Sequence, residues 1–177
     1  MDNINFASGS VRYVGSEIRA VILSKMQIDE RKNVCVISGE SIAIESAMMA
    51  GEGTVIAVEY SKRDRETLED NVHQFGLHNI SIIDHVDEEQ MKDLPVPDVT
   101  MLVASASMEQ EMEYMLKINP KMEFVIYTLD FGVAAQMGSI FERFGLGEPD
   151  VTQVCVSKLT SKNTFETQPA PWIITRK

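Results

Sequence analysis

Basic residues are scarce: 16 Lys and Arg stand against 27 Asp and Glu among 177 residues, for a net charge of −11. Such a surface repels phosphate backbones, which argues against a nucleic-acid partner. The one basic cluster, Lys62-Arg63-Asp64-Arg65, is diluted by an acid. Cysteine is nearly absent. Cys35 and Cys155 are far apart in apolar, strand-like runs, so two buried thiols are expected rather than a disulfide or a redox pair. Apolar runs are short, and none approaches the roughly 18 to 20 residues of a membrane span. The opening MDNINFASGS has neither the basic stretch nor the apolar core of a signal peptide, which makes the cytoplasm the expected location. The three histidines have no metal-ligand spacing with each other or with a cysteine, so no metal site is expected. No Gly-x-Ser-x-Gly elbow is present, which argues against a hydrolase.

What is present is the composition of one ordinary globular domain, 44% hydrophobic and 24% charged. Residues 1–13 are polar and mixed and read as an N-terminal arm; residues 14–177 read as a single domain. The pattern Ser16 to Ile28 carries an apolar stripe at Ile18, Val21, Ile22 and Met26, as an amphipathic helix does. Val34-Cys35-Val36-Ile37 is a continuous apolar run, the signature of a strand buried on both faces. From Ser41 the period turns helical, with Ile42, Ile44, Ala47 and Met48 packing, until the turn Gly51-Glu52-Gly53. Thr54 to Val58 is a second strand, and Ser61 and Gly76 bracket a polar helix over 62–75.

Strands are then predicted at 80–83, 99–103 and 124–127, and helices at 87–91, 108–118 and 131–144. Met108, Met112 and Met115 have helical spacing and are expected in the core. Two final strands, 151–156 and 172–175, are joined by a polar loop over 160–168 and read as an antiparallel hairpin. Strands alternating with helices define an α/β, Rossmann-like doubly wound sheet, with ligands at the carboxyl ends of its strands.

The stretch from Asn33 to Glu59 carries the functional signal. A tight turn, Ile37-Ser38-Gly39-Glu40-Ser41, follows the first strand, and an acid, Glu59, ends the second. That spacing of about 20 residues is the one by which a nucleotide-like ligand is held, with the acid on its ribose hydroxyls. Ser38, Gly39, Glu40, Ser41 and Glu59 are therefore candidate cofactor-binding residues. His73 and His78 are expected in solvent.

Glu17-Ile18-Arg19-Ala20 with Ser24-Lys25, Ser41-Ile42-Ala43-Ile44-Glu45, Val58-Glu59, Asn71 with Phe75-Gly76, Leu94-Pro95 with Pro97-Asp98, Val151-Thr152-Gln153-Val154 and Trp172-Ile173-Ile174-Thr175 follow in order. In that order and spacing the chain resembles the class I Rossmann methyltransferases that use S-adenosylmethionine. Within them it is similar to the precorrin C15-methylating, decarboxylating branch of the cobalamin pathway. The resemblance implies a sheet of about seven strands with the last antiparallel, S-adenosylmethionine as cofactor, a tetrapyrrole substrate and a homo-oligomer.

The departures from the family lie in its cofactor-facing loops. Gly39 alone survives from the glycine-rich first loop, and Glu40 would face the cofactor's carboxylate unless it points away. After the third strand, His85-Val86-Asp87 replaces Gly-Asp-Ala, with Asp84 or Asp87 as a substitute acid. After the fourth, Val103-Ala104-Ser105-Ala106-Ser107 replaces a glycine-rich run. The loop Leu159 to Gln168 lacks the family's glycine and histidine. His85, Val86 and Ser105 join the candidate cofactor residues by position, and no catalytic residue is assigned. An anionic substrate would further require a basic rim, for which Arg12, Arg19 and Lys158 are candidates. Two readings follow: a precorrin methyltransferase, or a methyltransferase fold that has lost the cofactor and serves as a binding or scaffolding subunit.

Overall fold

The computed structural model describes residues 14–176, so the N-terminal arm over 1–13, with Arg12, lies outside the described residues. Short β-branched runs form the strands, and polar or amphipathic segments form the helices between them. The order is α1 (Ser16–Met26), β1 (Val34–Ile37), α2 (Glu40–Ala50), β2 (Val55–Val58), α3 (Lys62–Phe75), β3 (Ile80–Ile83), α4 (Glu88–Met91) and β4 (Val99–Val103). It continues with α5 (Met108–Ile118), β5 (Glu123–Thr128), α6 (Phe131–Arg143), β6 (Pro149–Gln153), β7 (Ser157–Leu159), β8 (Phe165–Thr167) and β9 (Trp172–Arg176).

Seven strands form one sheet in the order β3-β2-β1-β4-β5-β9-β6. β3, β2, β1, β4 and β5 are parallel, and β9 inserts antiparallel between β5 and β6. The sequence direction reverses between β1 and β4, which makes their carboxyl ends the switch point where open α/β sheets take ligands. Every residue of β1 and β2 is buried, as strands covered on both faces must be. Two apolar layers flank the sheet. One gathers α1 and α2 residues such as Ile22, Met26, Ile42 and Ala47; the other gathers α5 and α6 residues such as Met112, Met115, Met137 and Phe141.

Local signals account for most boundaries. Ser61 Oγ accepts the Asp64 N–H at the start of α3, and Gly76, at φ 62°, ends it with its N–H on Val72 and His73 oxygens. Asp130 caps α6 by accepting from Gly132 and Val133. At the turn after α2, a Cβ on Gly53 would lie 2.3 Å from the Lys32 carbonyl, so that glycine is demanded by chain packing rather than by a ligand.

Four expectations require correction. Cys155 is exposed, while Cys35 is buried; Cys155 follows the end of β6 and never enters the sheet interior. Met48 is 39% exposed because it points off the far side of α2. The segment read as a polar loop over 160–168 contributes β8, which pairs with β7 as a separate two-stranded ribbon, with Leu159 opposite Phe165. Arg19 is wholly buried and ion-paired to Glu45 at 3.2 Å, also donating to the Val14 carbonyl at 2.7 Å, so it forms no basic rim.

Candidate cofactor site

The first loop leaves β1 through Ser38, whose φ of 57° is left-handed. A residue with a Cβ is rare there and costs on the order of 1 kcal/mol. The loop therefore has, at a serine, a backbone shape suited to glycine. The surviving Gly39 has a different reason to be glycine. A Cβ on it would meet Val36 Cγ1 at 2.8 Å and Met101 Sδ at 3.3 Å, so it is pressed onto the core below.

Glu59 follows β2 and is 2% exposed. Its carboxylate accepts the backbone N–H groups of Gly39 and Glu40, the free donors at the start of α2. Burial, then the nearby Asp64 and Glu40, pushes Glu59 up to about 8, against the pull of those two N–H groups. The acid expected on a ribose thus lies beneath the loop and ties it to β2. Arg65 Nη1 reinforces the tie by donating to the Glu59 and Tyr60 carbonyls at 2.7 and 3.0 Å.

Glu40 turns away from the loop's open side. It is 6% exposed and accepts from Asn71 Nδ2 at 2.6 Å between α2 and α3. Burial pushes it up to about 7, with Asp64 adding to the rise and Asn71 opposing it. Ser41 is buried in the first turn of α2.

The loop after β3 is occupied with itself. His85 is exposed and pairs with Asp84 through Nδ1 and with Asp87 Oδ2 through Nε2, the latter at 2.8 Å. Gln90 Nε2 donates to Asp84, and Asp87 Oδ1 caps α4 by accepting the Gln90 N–H at 2.9 Å. Both acids proposed as substitutes for the family's aspartate are engaged here. Val86 is half-buried against the α5 layer.

The loop after β4 holds Ser105, exposed, whose hydroxyl shares a hydrogen bond of 3.0 Å with Ser107 Oγ and accepts the Ser107 N–H at 3.2 Å. Ser107 Oγ in turn donates to Glu111 Oε1 at 2.8 Å, and the Tyr60 hydroxyl donates to the same oxygen. A hydrogen-bonded chain thus runs from the β4 loop through α5 to the residue beside Glu59. Burial, then Glu111, pushes the Tyr60 hydroxyl above its usual range, and burial with Glu111 does the same to the Cys35 thiol beneath.

The structure brings Ser38, Gly39, Glu40, Ser41 and Glu59 together, ties Ser105 into the Glu111 chain, and leaves His85 in a surface cluster. Sequence reasoning missed Tyr60, Ser107, Glu111 and Asn71. One signal for Glu111 was available: it shares a helical face with Met108, Met112 and Met115, and a lone acid in an apolar stripe demands a partner. Among the described residues, no group of three or more His, Cys, Asp or Glu is placed to hold a metal ion, and no helix is long and apolar enough to cross a membrane.

Sheet order, antiparallel β9 and switch-point loops define the Rossmann-like fold of S-adenosylmethionine-dependent methyltransferases. A precorrin-6y C5,15-methyltransferase of Geobacter metallireducens superposes with a TM-score of 0.89 at 23% identity, covering 100% of this chain and 96% of that one. A precorrin 8w decarboxylase of Methanobacterium thermoautotrophicum gives 0.82 at 14% identity, covering 100% and 99%. The C-terminal domain of a precorrin-6Y C5,15-methyltransferase of Rhodobacter capsulatus gives 0.77 at 16%, covering 99% and 95%. No curated protein sequence matches the chain. The chain belongs to the precorrin methyltransferase domain family, whose model matches residues 11–167.

Proposed function

We propose that the chain binds S-adenosylmethionine at the carboxyl ends of β1, β2 and β4 and methylates a precorrin tetrapyrrole at C15, with loss of an acetate carboxyl. The family match over residues 11–167 supplies the reaction class. The observation that carries the cofactor reading is Ser38, held left-handed at φ 57° where a glycine would be free of strain. Strain of this kind persists where the surrounding structure over-determines it, and it clusters at ligand clamps. An unpartnered acceptor on the facing helix, Glu111 Oε2, also fits a donor-bearing ligand at this edge.

When bound, the cofactor supplies an electrophilic methyl group. The chain's share is to bind and orient the two reactants and to exclude water. Ser38, Gly39 and the start of α2 would face the cofactor's amino-acid end, and Glu59 would hold the loop in shape from below rather than contact the ribose. Lys158 is paired with Glu17 at 2.5 Å and Lys62 with Glu66 at 3.7 Å, so an anionic substrate would meet Arg63, exposed at the start of α3.

One observation favours the second reading, a fold kept without chemistry: Glu59 is buried and already hydrogen-bonded. Calorimetric titration with S-adenosylhomocysteine separates the two. Micromolar binding supports the methyltransferase reading and justifies precorrin assays. No heat up to millimolar ligand retires it.

A further inference from the structure

Glu111 is 4% exposed, and its two oxygens are treated differently. Oε1 receives both Ser107 Oγ and the Tyr60 hydroxyl, whereas Oε2 is buried with no hydrogen-bond partner. A buried acceptor left unpaired is costly, more so when charged, so native proteins rarely retain one without a use. The only other buried side-chain oxygen without a partner among the described residues is Ser46 Oγ, in the middle of α2 and away from the carboxyl edge.

The position of Glu111 says what could use the free oxygen. Its two donors come from the residue after Glu59 and from the loop after β4, so it spans the switch point beside β1. In such folds the ribose lies by the end of β2, which sets the attached base beside residue 60. On the neighbouring loop both Asp87 oxygens are engaged, by His85 and by the Gln90 N–H, and Asp84, its side chain 45% exposed to solvent, is held through Oδ1 by Gln90 and His85. Tyr60, 45% exposed, donates its hydroxyl to Glu111 Oε1 and brings an aromatic side chain, the kind a base lies against, to the same edge.

Resting on the cofactor reading above, we propose that Glu111 is the specificity-determining acceptor for the exocyclic amine of an adenine ring, with Tyr60 as its movable cover. The amine donates to the unspent oxygen, and Ser107 continues to hold the other. An analogue with a carbonyl at that position sets one acceptor against another and is rejected.

The test compares binding of S-adenosylhomocysteine and S-inosylhomocysteine to the full chain by calorimetry. The unaltered protein is expected to prefer the adenosyl compound by about 10- to 100-fold, the worth of one hydrogen bond to a charged group. In Glu111→Gln, whose amide can serve either base, the preference falls below about threefold while the thermal melt stays cooperative. Should Glu111→Gln fail to fold, Glu111→Asp draws the acceptor back by one methylene and weakens only the adenosyl compound. Full preference retained in a folded Glu111→Gln overturns the proposal. Equal binding of both compounds by the unaltered protein also overturns it but leaves the cofactor reading standing. Binding of neither removes both.

Discussion

Two buried acids, Glu59 after β2 and Glu111 on α5, are built in opposite ways. Glu59, on the α2 side, accepts two backbone N–H groups and sits among Asp64 and Glu40. Glu111, on the α5 side, has one oxygen doubly engaged and the other unpartnered. A carboxylate whose hydrogen bonds are met from within the chain is a structural tie. One with an unmet acceptor carries an uncompensated cost within the chain. The acid that spacing singled out is the tie, and the acid that spacing overlooked is the open one.

The largest effect expected from breaking this contrast is Glu59→Ala. It strips two N–H groups at the start of α2 of their acceptor and leaves a hole below the loop, and it should lower stability by about 2 to 4 kcal/mol in urea denaturation. Glu111→Gln should cost under about 1 kcal/mol, since it keeps the volume and an acceptor for Ser107. Equal losses in the two variants would dissolve the distinction.

The pH dependence sharpens it. Glu59 and Glu40 are raised to about 8 and about 7 from 4.5. Between pH 4.5 and those values the folded chain keeps protons that the unfolded chain has released. The contribution of these two acids to stability should therefore fall as pH rises from 4.5 to 8. Melting temperature should drop by roughly 5 °C or more across that window, and Glu59→Gln should flatten most of the slope. A melting temperature that rises over the same window would contradict the burial assigned to both acids.

Ser38→Gly should relieve the left-handed strain and raise stability by up to about 1 kcal/mol, unless the glycine's freedom in the unfolded chain offsets it. Read beside S-adenosylhomocysteine affinity, it shows whether the strain serves binding: unchanged affinity would mean that the backbone shape, not the serine, is what the ligand meets. The smallest effect belongs to Leu159→Ser on the exposed β7–β8 ribbon, where about 0.5 kcal/mol or less is expected.

Much of the fold was legible because its causes are local. Val34 to Ile37 is apolar throughout and could only be a doubly covered strand, and Ser61 and Gly76 mark the ends of α3 by hydrogen bonds that span a few residues. The β7–β8 ribbon was not legible, because three-residue exposed strands have no buried face to impose a pattern. The same limit hid the fate of Arg19, whose burial depends on Glu45 arriving from another helix.

The candidate site divides along the same line. Sequence alone determined that a loop, an acid about 20 residues on and a later loop would meet at the carboxyl ends of β1, β2 and β4, because strand order and handedness follow from the βαβ pattern. Only the tertiary structure decided which way the carboxylates turn. Glu40 goes to Asn71, Glu59 goes under its own loop, and Glu111 reaches Tyr60 with one oxygen to spare. Those choices depend on donors brought from distant parts of the chain to buried carboxylates, and no spacing rule along the sequence records where such donors will be.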